Sequence, residues 1–353
     1  MIINKYCGIE VRAVSTAVSS TWVSLNSLVE QEQPEDFNVK KFEKMTGVTG
    51  RYVSSLQQTT ADLCYAAGKK ILSSMDVSIN EIGAIVFVTQ CPDYTTPATA
   101  CVLQYRLGGG GSLCDCLAFD VNLGCSGFVY GLNIVAGLLN SSDINKALML
   151  CGDTFARPLS KEDDRISHSS KYLFGDAGTA TLLEKTANAN NLVFASCTDG
   201  AGYQAIMDPY KQWRHFDEDG HSVMDDITVF NFSTEEVPIM LKEYMNMQGT
   251  TPEDYESLVL HQANLFIMKQ IAKRSGFPKE KLAISIDTFG NTSSASIPAT
   301  LVKLYGDDDS NEVRRFLTCG YGVGLSWAAC ELSLAPAQIL PLVQTDEYFA
   351  DGI

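Results

Sequence analysis

Long apolar runs are missing from this sequence: no stretch approaches the roughly 18 consecutive apolar residues that span a bilayer. The opening, Met1-Ile-Ile-Asn-Lys, also lacks the basic-then-apolar order of a signal peptide. A soluble, cytoplasmic protein with no membrane partner is expected. Basic side chains are scarce, 26 against 42 acidic ones, and the formal net charge of −16 repels a phosphate backbone. Nucleic acid is therefore not an expected partner. Zinc-binding spacing is absent: Cys114 and Cys116 stand two apart, too tight for paired structural ligands, and no second cysteine or histidine pair lies nearby. No Gly-Lys-Ser/Thr follows Gly108-Gly-Gly-Gly111, and the helix-like segment precedes it, so these glycines read as a flexible turn rather than a phosphate loop.

Eleven cysteines would suit disulfides in a small secreted chain, but here they are scattered through apolar segments of a long one. They read as reduced thiols. A hydrophobic content of 45% over 353 residues is ample for a packed core. Apolar, β-branched runs at 84–89, 117–121, 147–151, 257–260 and 282–286 alternate with helix-period segments, which predicts an α/β architecture with buried sheets. The polar stretch 185–191 divides the chain into two halves of comparable size, 1–185 and 186–353. The tail 336–353 is assigned only surface packing.

Three strand-to-helix junctions carry polar groups. In the first, Cys125 sits in the small-residue turn after Phe119-Asp-Val121, and Phe128, Leu132, Val135 and Leu139 recur at helical spacing just beyond it. A helix N-terminus presents unpaired amides and partial positive charge, which stabilise a thiolate and later an oxyanion. The same setting also suits a buried thiol. In the second junction, the strand Ser257-Leu-Val-Leu260 delivers His261 at its C-terminal end, where open α/β sheets place ligand-binding groups. Of the four histidines it is the one that leaves an apolar strand; a satisfied core histidine would look alike. In the third, Asn291 follows Gly290 at a tight turn, where a carboxamide can donate hydrogen bonds but cannot act as a base, or can simply cap a helix.

These residues lie in five segments: Asn122-Leu-Gly-Cys-Ser-Gly-Phe128, Phe174-Gly-Asp-Ala-Gly178, Leu260-His-Gln-Ala-Asn-Leu265, Phe289-Gly-Asn-Thr-Ser-Ser-Ala-Ser296 and Gly320-Tyr-Gly-Val-Gly-Leu-Ser-Trp327. In that order they resemble the signatures of 3-oxoacyl-(acyl carrier protein) synthase III, and the resemblance runs to about Leu334. It implies a thiolase-like fold, two duplicated α/β halves in a five-layer αβαβα stack, and a homodimer. It also implies a mechanism. Cys125 attacks an acyl thioester while the amides of Cys125 and Val323 hold the oxyanion. A malonyl thioester then loses carbon dioxide while His261 and Asn291 donate to its carbonyl, and no metal or redox cofactor is required.

The entrance departs from that pattern. Lys41 and Met45 occupy the places of the usual indole and guanidinium, and Phe266 replaces an arginine after the His-Gln-Ala-Asn motif. Arg165 matches a remaining nucleotide-contacting arginine, so substrate contacts are expected at Arg165, Phe266 and Thr96. Thr96 stands where short-chain enzymes carry a bulky aromatic that closes the partner's acyl pocket, which implies a pocket deeper than acetyl needs. Lys269, Lys273 and Arg274 put a basic face on the helix after His261, suited to an acidic carrier protein or to ordinary solvation. Acyl-CoA and acyl carrier protein are the expected partners. Transfer of the acyl group to a hydroxyl or amine without condensation is the alternative reaction, and a non-catalytic subunit of the same fold is the alternative from another class.

Overall fold

The computed structural model describes residues 1–351 apart from 35–36, 112–114, 157–167, 188–190, 210–213 and 219–221. Two mixed sheets dominate it. We label their strands β1 (Ile2–Tyr6), β2 (Ile9–Val18), β3 (Ile82–Val88), β4 (Leu117–Val121), β5 (Lys146–Asp153), β6 (Ala177–Lys185), β7 (Leu192–Thr198), β8 (Ser257–Leu260), β9 (Arg314–Gly322), β10 (Ser326–Leu334) and β11 (Val343–Gln344). The first sheet runs β11-β2-β6-β5-β3-β4 and the second β1-β7-β10-β9-β8.

The order of layers follows from which faces are apolar. Along β3, Ala84, Val86 and Val88 face one way and Ile85 and Phe87 the other, and all five are buried, as a strand covered on both sides requires. The first set packs on the helix Gly127–Ser141. This helix buries Phe128, Val129, Leu132, Val135, Ala136 and Leu139, a spread too wide for a surface helix with one apolar stripe. With the helix Ser296–Tyr305 it lies between the two sheets, in a core that takes Val14 and Met149 from the first sheet and Phe194 and Phe316 from the second. The helices Thr60–Ser74 and Thr99–Leu107 cover the outer face of the first sheet. Asp226–Gln248 and Leu265–Ser275 cover that of the second. Helix, sheet, helix, sheet and helix make the five layers that the resemblance implies.

Four of the five predicted strands are present, and the segment 282–286 is not one of them. It makes a single bridge, Leu258 with Leu282, and from Ile286 it turns into the short helix Ile286–Phe289. The buried Gln262 side chain takes the place of further ladder bonds. Its Nε2 donates to Leu260 O at 2.8 Å and Ala283 O at 3.3 Å, while its Oε1 accepts from Ser285 N at 2.9 Å and Ile286 N at 3.3 Å. An apolar run thus looks like a strand while a side chain satisfies its backbone.

The termini cross between the sheets. β1 pairs with β7 of the second sheet, and β11 with β2 of the first. The tail does more than cover surface. Beyond β11, the Phe349 ring lies 4.7 Å from the Arg106 guanidinium, and Phe349 N donates to Asp62 Oδ1 at 2.9 Å. Arg106 and Asp62 form a buried ion pair at 2.8 Å.

Candidate active site around Cys125

Cys125 lies in the turn between β4 and the central helix, closed by Gly127 N donating to Gly124 O at 2.6 Å. The helix starts two residues after the cysteine, and no side chain caps its first amides. The residue as a whole is partly exposed, while its thiol is enclosed enough for burial to dominate its acidity. Opposite it runs the end of β9, where Gly322 has φ +155° and a Cβ would meet Cys125 Cβ at 2.6 Å and Sγ at 3.0 Å. Only glycine fits both the backbone angle and the space. The next residue, Val323, turns its amide to the thiol, as does the amide of Cys125 itself. Ser326 Oγ donates to Val323 O at 2.7 Å and lies 2.7 Å from Ser126 Oγ, which ties this loop to the residue after Cys125.

Burial pushes the thiol up to about 11, helped by the Asp153 carboxylate and opposed by the Val323 amide, the Ser293 hydroxyl and its own amide. At neutral pH the resting sulfur is therefore protonated. The thiolate expected from the helix end is outweighed by desolvation.

His261 extends β8 by one bond, its N donating to Cys319 O at 2.8 Å. It is 1% exposed, and the Tyr321 ring meets it edge-on with centroids 5.5 Å apart. Burial drives its pKa down to about 3, opposed only by the Ser293 backbone, so the ring is neutral. Nδ1 lies 2.8 Å from Ser296 Oγ, and that hydroxyl is also 2.8 Å from Ser293 O. The hydroxyl has one proton and two acceptors. When it donates to Ser293 O, Nδ1 carries the ring proton and Nε2 accepts; when it donates to Nδ1, Nε2 carries the proton and donates.

Asn291 is held by its backbone, with N donating to Leu173 O at 2.9 Å and O accepting from Gly175 N at 3.0 Å. The motif Phe174-Gly-Asp-Ala-Gly178 therefore supports the site from behind. Asn291 Oδ1 accepts from Ser293 N at 2.9 Å, which leaves the N–H groups of the amide to donate. Cys125, His261 and Asn291, from three separate junctions, thus meet at one residue, Ser293.

The other expected residues lie farther out. Phe266, 48% exposed, stacks on Phe230 with centroids 5.7 Å apart and planes at 12°. It shares the exposed side of the helix Leu265–Ser275 with Lys269 and Lys273. Arg274 Nη1 donates to Thr234 O at 2.6 Å and so ties this helix to Asp226–Gln248. Thr96 is exposed on the loop after β3, whose root Gln90 packs against Gly124. Arg165 lies outside the described residues. Lys41 and Met45 are exposed on the helix Val39–Thr46, which ends against the start of Leu265–Ser275 through Gly47 and Leu265.

Sequence reasoning missed the residues behind the three. Ser293 and Ser296 stand in the same motif as Asn291, but hydroxyls in a serine-rich turn carry no signal of their own. Asp153, fully buried, accepts from Gln90 N at 2.7 Å, Thr89 Oγ1 at 3.1 Å and Ser294 Oγ at 3.1 Å. It ends β5, so the strand-end rule that singled out His261 also applies to it.

A central helix pair between two sheets, with cysteine and histidine at strand ends and asparagine in the turn after a short helix, defines a thiolase-like α/β enzyme. Family models for 3-oxoacyl-[acyl-carrier-protein] synthase III match residues 119–200, and for its C-terminal part residues 245–334. The β-ketoacyl-[acyl-carrier-protein] synthase III of Clostridium perfringens is 32% identical over 319 residues, covering 87% of this chain and 95% of that protein. The solved 3-oxoacyl-(acyl-carrier protein) synthase of Burkholderia xenovorans LB400 superposes with a TM-score of 0.87 at 32% identity, covering 98% of this chain and 99% of that one. The priming β-ketosynthase of the R1128 polyketide pathway gives 0.82 at 25% identity, covering 95% and 98%. The chain belongs to the 3-oxoacyl-(acyl carrier protein) synthase III family.

Proposed function

We propose that this protein loads an acyl group from a thioester onto Cys125 and condenses it with a malonyl thioester, releasing carbon dioxide. The observation that carries the reading is the meeting of Cys125, His261 and Asn291 at Ser293, with the Val323 amide turned to the sulfur. In the loading step the thiol gives its proton to His261 Nε2 and the sulfur attacks the thioester carbonyl. The amides of Cys125 and Val323 hold the oxyanion. Collapse expels the donor thiolate, which takes the proton back from Nε2.

In the second step His261 and Asn291 donate to the carbonyl oxygen of the malonyl thioester. The bond to its carboxylate breaks, carbon dioxide leaves, and the electron pair forms an enolate. The enolate carbon attacks the acyl carbonyl and expels Cys125 as thiolate, which takes one proton from solvent to restore the thiol. Nε2 accepts in the first step and donates in the second; between the two the neutral ring exchanges its single proton with solvent, losing it at Nδ1 and regaining it at Nε2, and the Ser296 hydroxyl turns from Ser293 O to Nδ1 to hold the new tautomer. No metal or redox cofactor enters.

Acyl-CoA and acyl carrier protein are the proposed thioester partners. Phe266 is assigned to the entrance, Arg165 to a substrate contact on the resemblance alone, and Lys269, Lys273 and Arg274 to carrier docking, the last through the helix it anchors. In a homodimer, Thr96 would leave the partner's acyl pocket deeper than acetyl needs. The test incubates the protein with acyl-CoA donors of increasing chain length and malonyl thioester. Carbon dioxide and 3-oxoacyl product in equal amounts, best with donors longer than acetyl, support the reading. Acyl transfer to a hydroxyl or amine without carbon dioxide contradicts it.

A further inference from the structure

The turn that carries Asn291 holds its next residue but one in an unusual state. Ser293 is 1% exposed and its backbone is left-handed, φ +49°. Its N is bound by Asn291 Oδ1 and its O by Ser296 Oγ. Its own hydroxyl makes no hydrogen bond of normal geometry among the described residues, although it stands close enough to the Cys125 thiol and the Asp153 carboxylate to lower the pKa of each. A buried hydroxyl normally makes such a bond, and a serine normally avoids a left-handed backbone. Both anomalies fall on the residue whose side chain stands beside the Cys125 thiol.

Resting on Cys125 as the nucleophile, we propose that Ser293 is a further catalytic residue, its hydroxyl donating a hydrogen bond to the Cys125 thiolate as that anion forms. A neutral thiol is a weak acceptor, which explains a hydroxyl without a normal hydrogen bond in the resting state; a thiolate is a strong one. The left-handed turn places the hydroxyl there because the backbone on either side is tied to Asn291 and to Ser296. Among the described residues, the ionisable groups that act on the sulfur or are acted on by it are Asp153 on β5 and Tyr321 on β9, and His261 reaches the same turn through the Ser293 backbone. The Asp153 carboxylate opposes thiolate formation and is the other acceptor near the Ser293 hydroxyl, though it already accepts from Gln90 N, Thr89 Oγ1 and Ser294 Oγ; Tyr321 and His261 are uncharged at neutral pH. None of them takes over the role of the hydroxyl donor.

The test compares wild type, Ser293→Gly and Ser293→Ala by alkylation of Cys125, followed on its own peptide by mass spectrometry from pH 7 to pH 11. Glycine suits the left-handed backbone, so Ser293→Gly removes the hydroxyl without strain, and its Tm stays within about 4 °C of wild type. Both variants are expected to alkylate Cys125 about tenfold more slowly at neutral pH, with the profile moved up by about one unit. Profiles equal to wild type in folded Ser293→Gly overturn the proposal. A Cys125→Ala control separates it from the reading it rests on: acyl-enzyme persisting in Cys125→Ala refutes Cys125 as nucleophile, whatever Ser293 does.

Discussion

At the residue scale the site is governed by desolvation. The Cys125 thiol is pushed up to about 11 and the His261 ring down to about 3, so both groups rest neutral across the physiological range. The rate of Cys125 alkylation should therefore climb about tenfold per pH unit past 9 and level near 11, where an unperturbed thiol would level near 9. A plateau below pH 8 would contradict this. The histidine has a consequence for stability. Its folded pKa lies below the unfolded value of 6.5, so the unfolded chain binds a proton that the native ring refuses, and lowering the pH from 6.5 toward 3 favours unfolding. Measured by urea unfolding, the advantage of wild type over His261→Asn, which does not titrate, should shrink by about 1.4 kcal/mol per unit below pH 6.5. The comparison cancels groups such as Asp176, which burial pushes up to about 6 and which act with the opposite sign. Chemically distinctive residues were legible here. Cys125, His261 and Asn291 stand out by type and by their place in turns after apolar runs, although the run before Asn291 is not a strand. Ser293, Ser296 and Asp153 do not, because their importance comes from partners far away in sequence.

At the element scale the strand-to-helix junction is the unit from which the site is built, and it is also where sequence patterns proved least reliable. The runs at 84–89, 117–121, 147–151 and 257–260 are strands because neighbouring strands satisfy their backbones. The run at 282–286 has the same apolar character, but Gln262 binds its backbone instead, and no periodicity reveals a side chain standing in for a strand. Gln262→Ala would leave Ser285 N and Ile286 N without their acceptor in a buried setting. It should cost roughly 2–5 kcal/mol in denaturant unfolding and loosen the turn that carries Asn291. A loss under 0.5 kcal/mol would show that the ladder does not depend on it. Arg274 makes a similar point: its charge suggested docking, while its guanidinium ties two outer helices together.

For the whole molecule, the alternation of strands and helices made the α/β class legible, and the resemblance supplied the five layers. The exchange of terminal strands could not be read, because β1 and β11 are short and carry no pattern that names a partner sheet. Each half closes on the other's terminus. The tail, assigned only surface packing, joins the first sheet and lays Phe349 against the buried Arg106–Asp62 pair. The two sheets face one core, and that core holds the helix on which Cys125 depends. The central claim is that this helix presents Cys125 as the point of acyl attachment. Intact-mass analysis after incubation with a panel of acyl thioesters tests it most directly. The account predicts one acyl group added to wild type and none to Cys125→Ala; an equal mass gain in both proteins would contradict it.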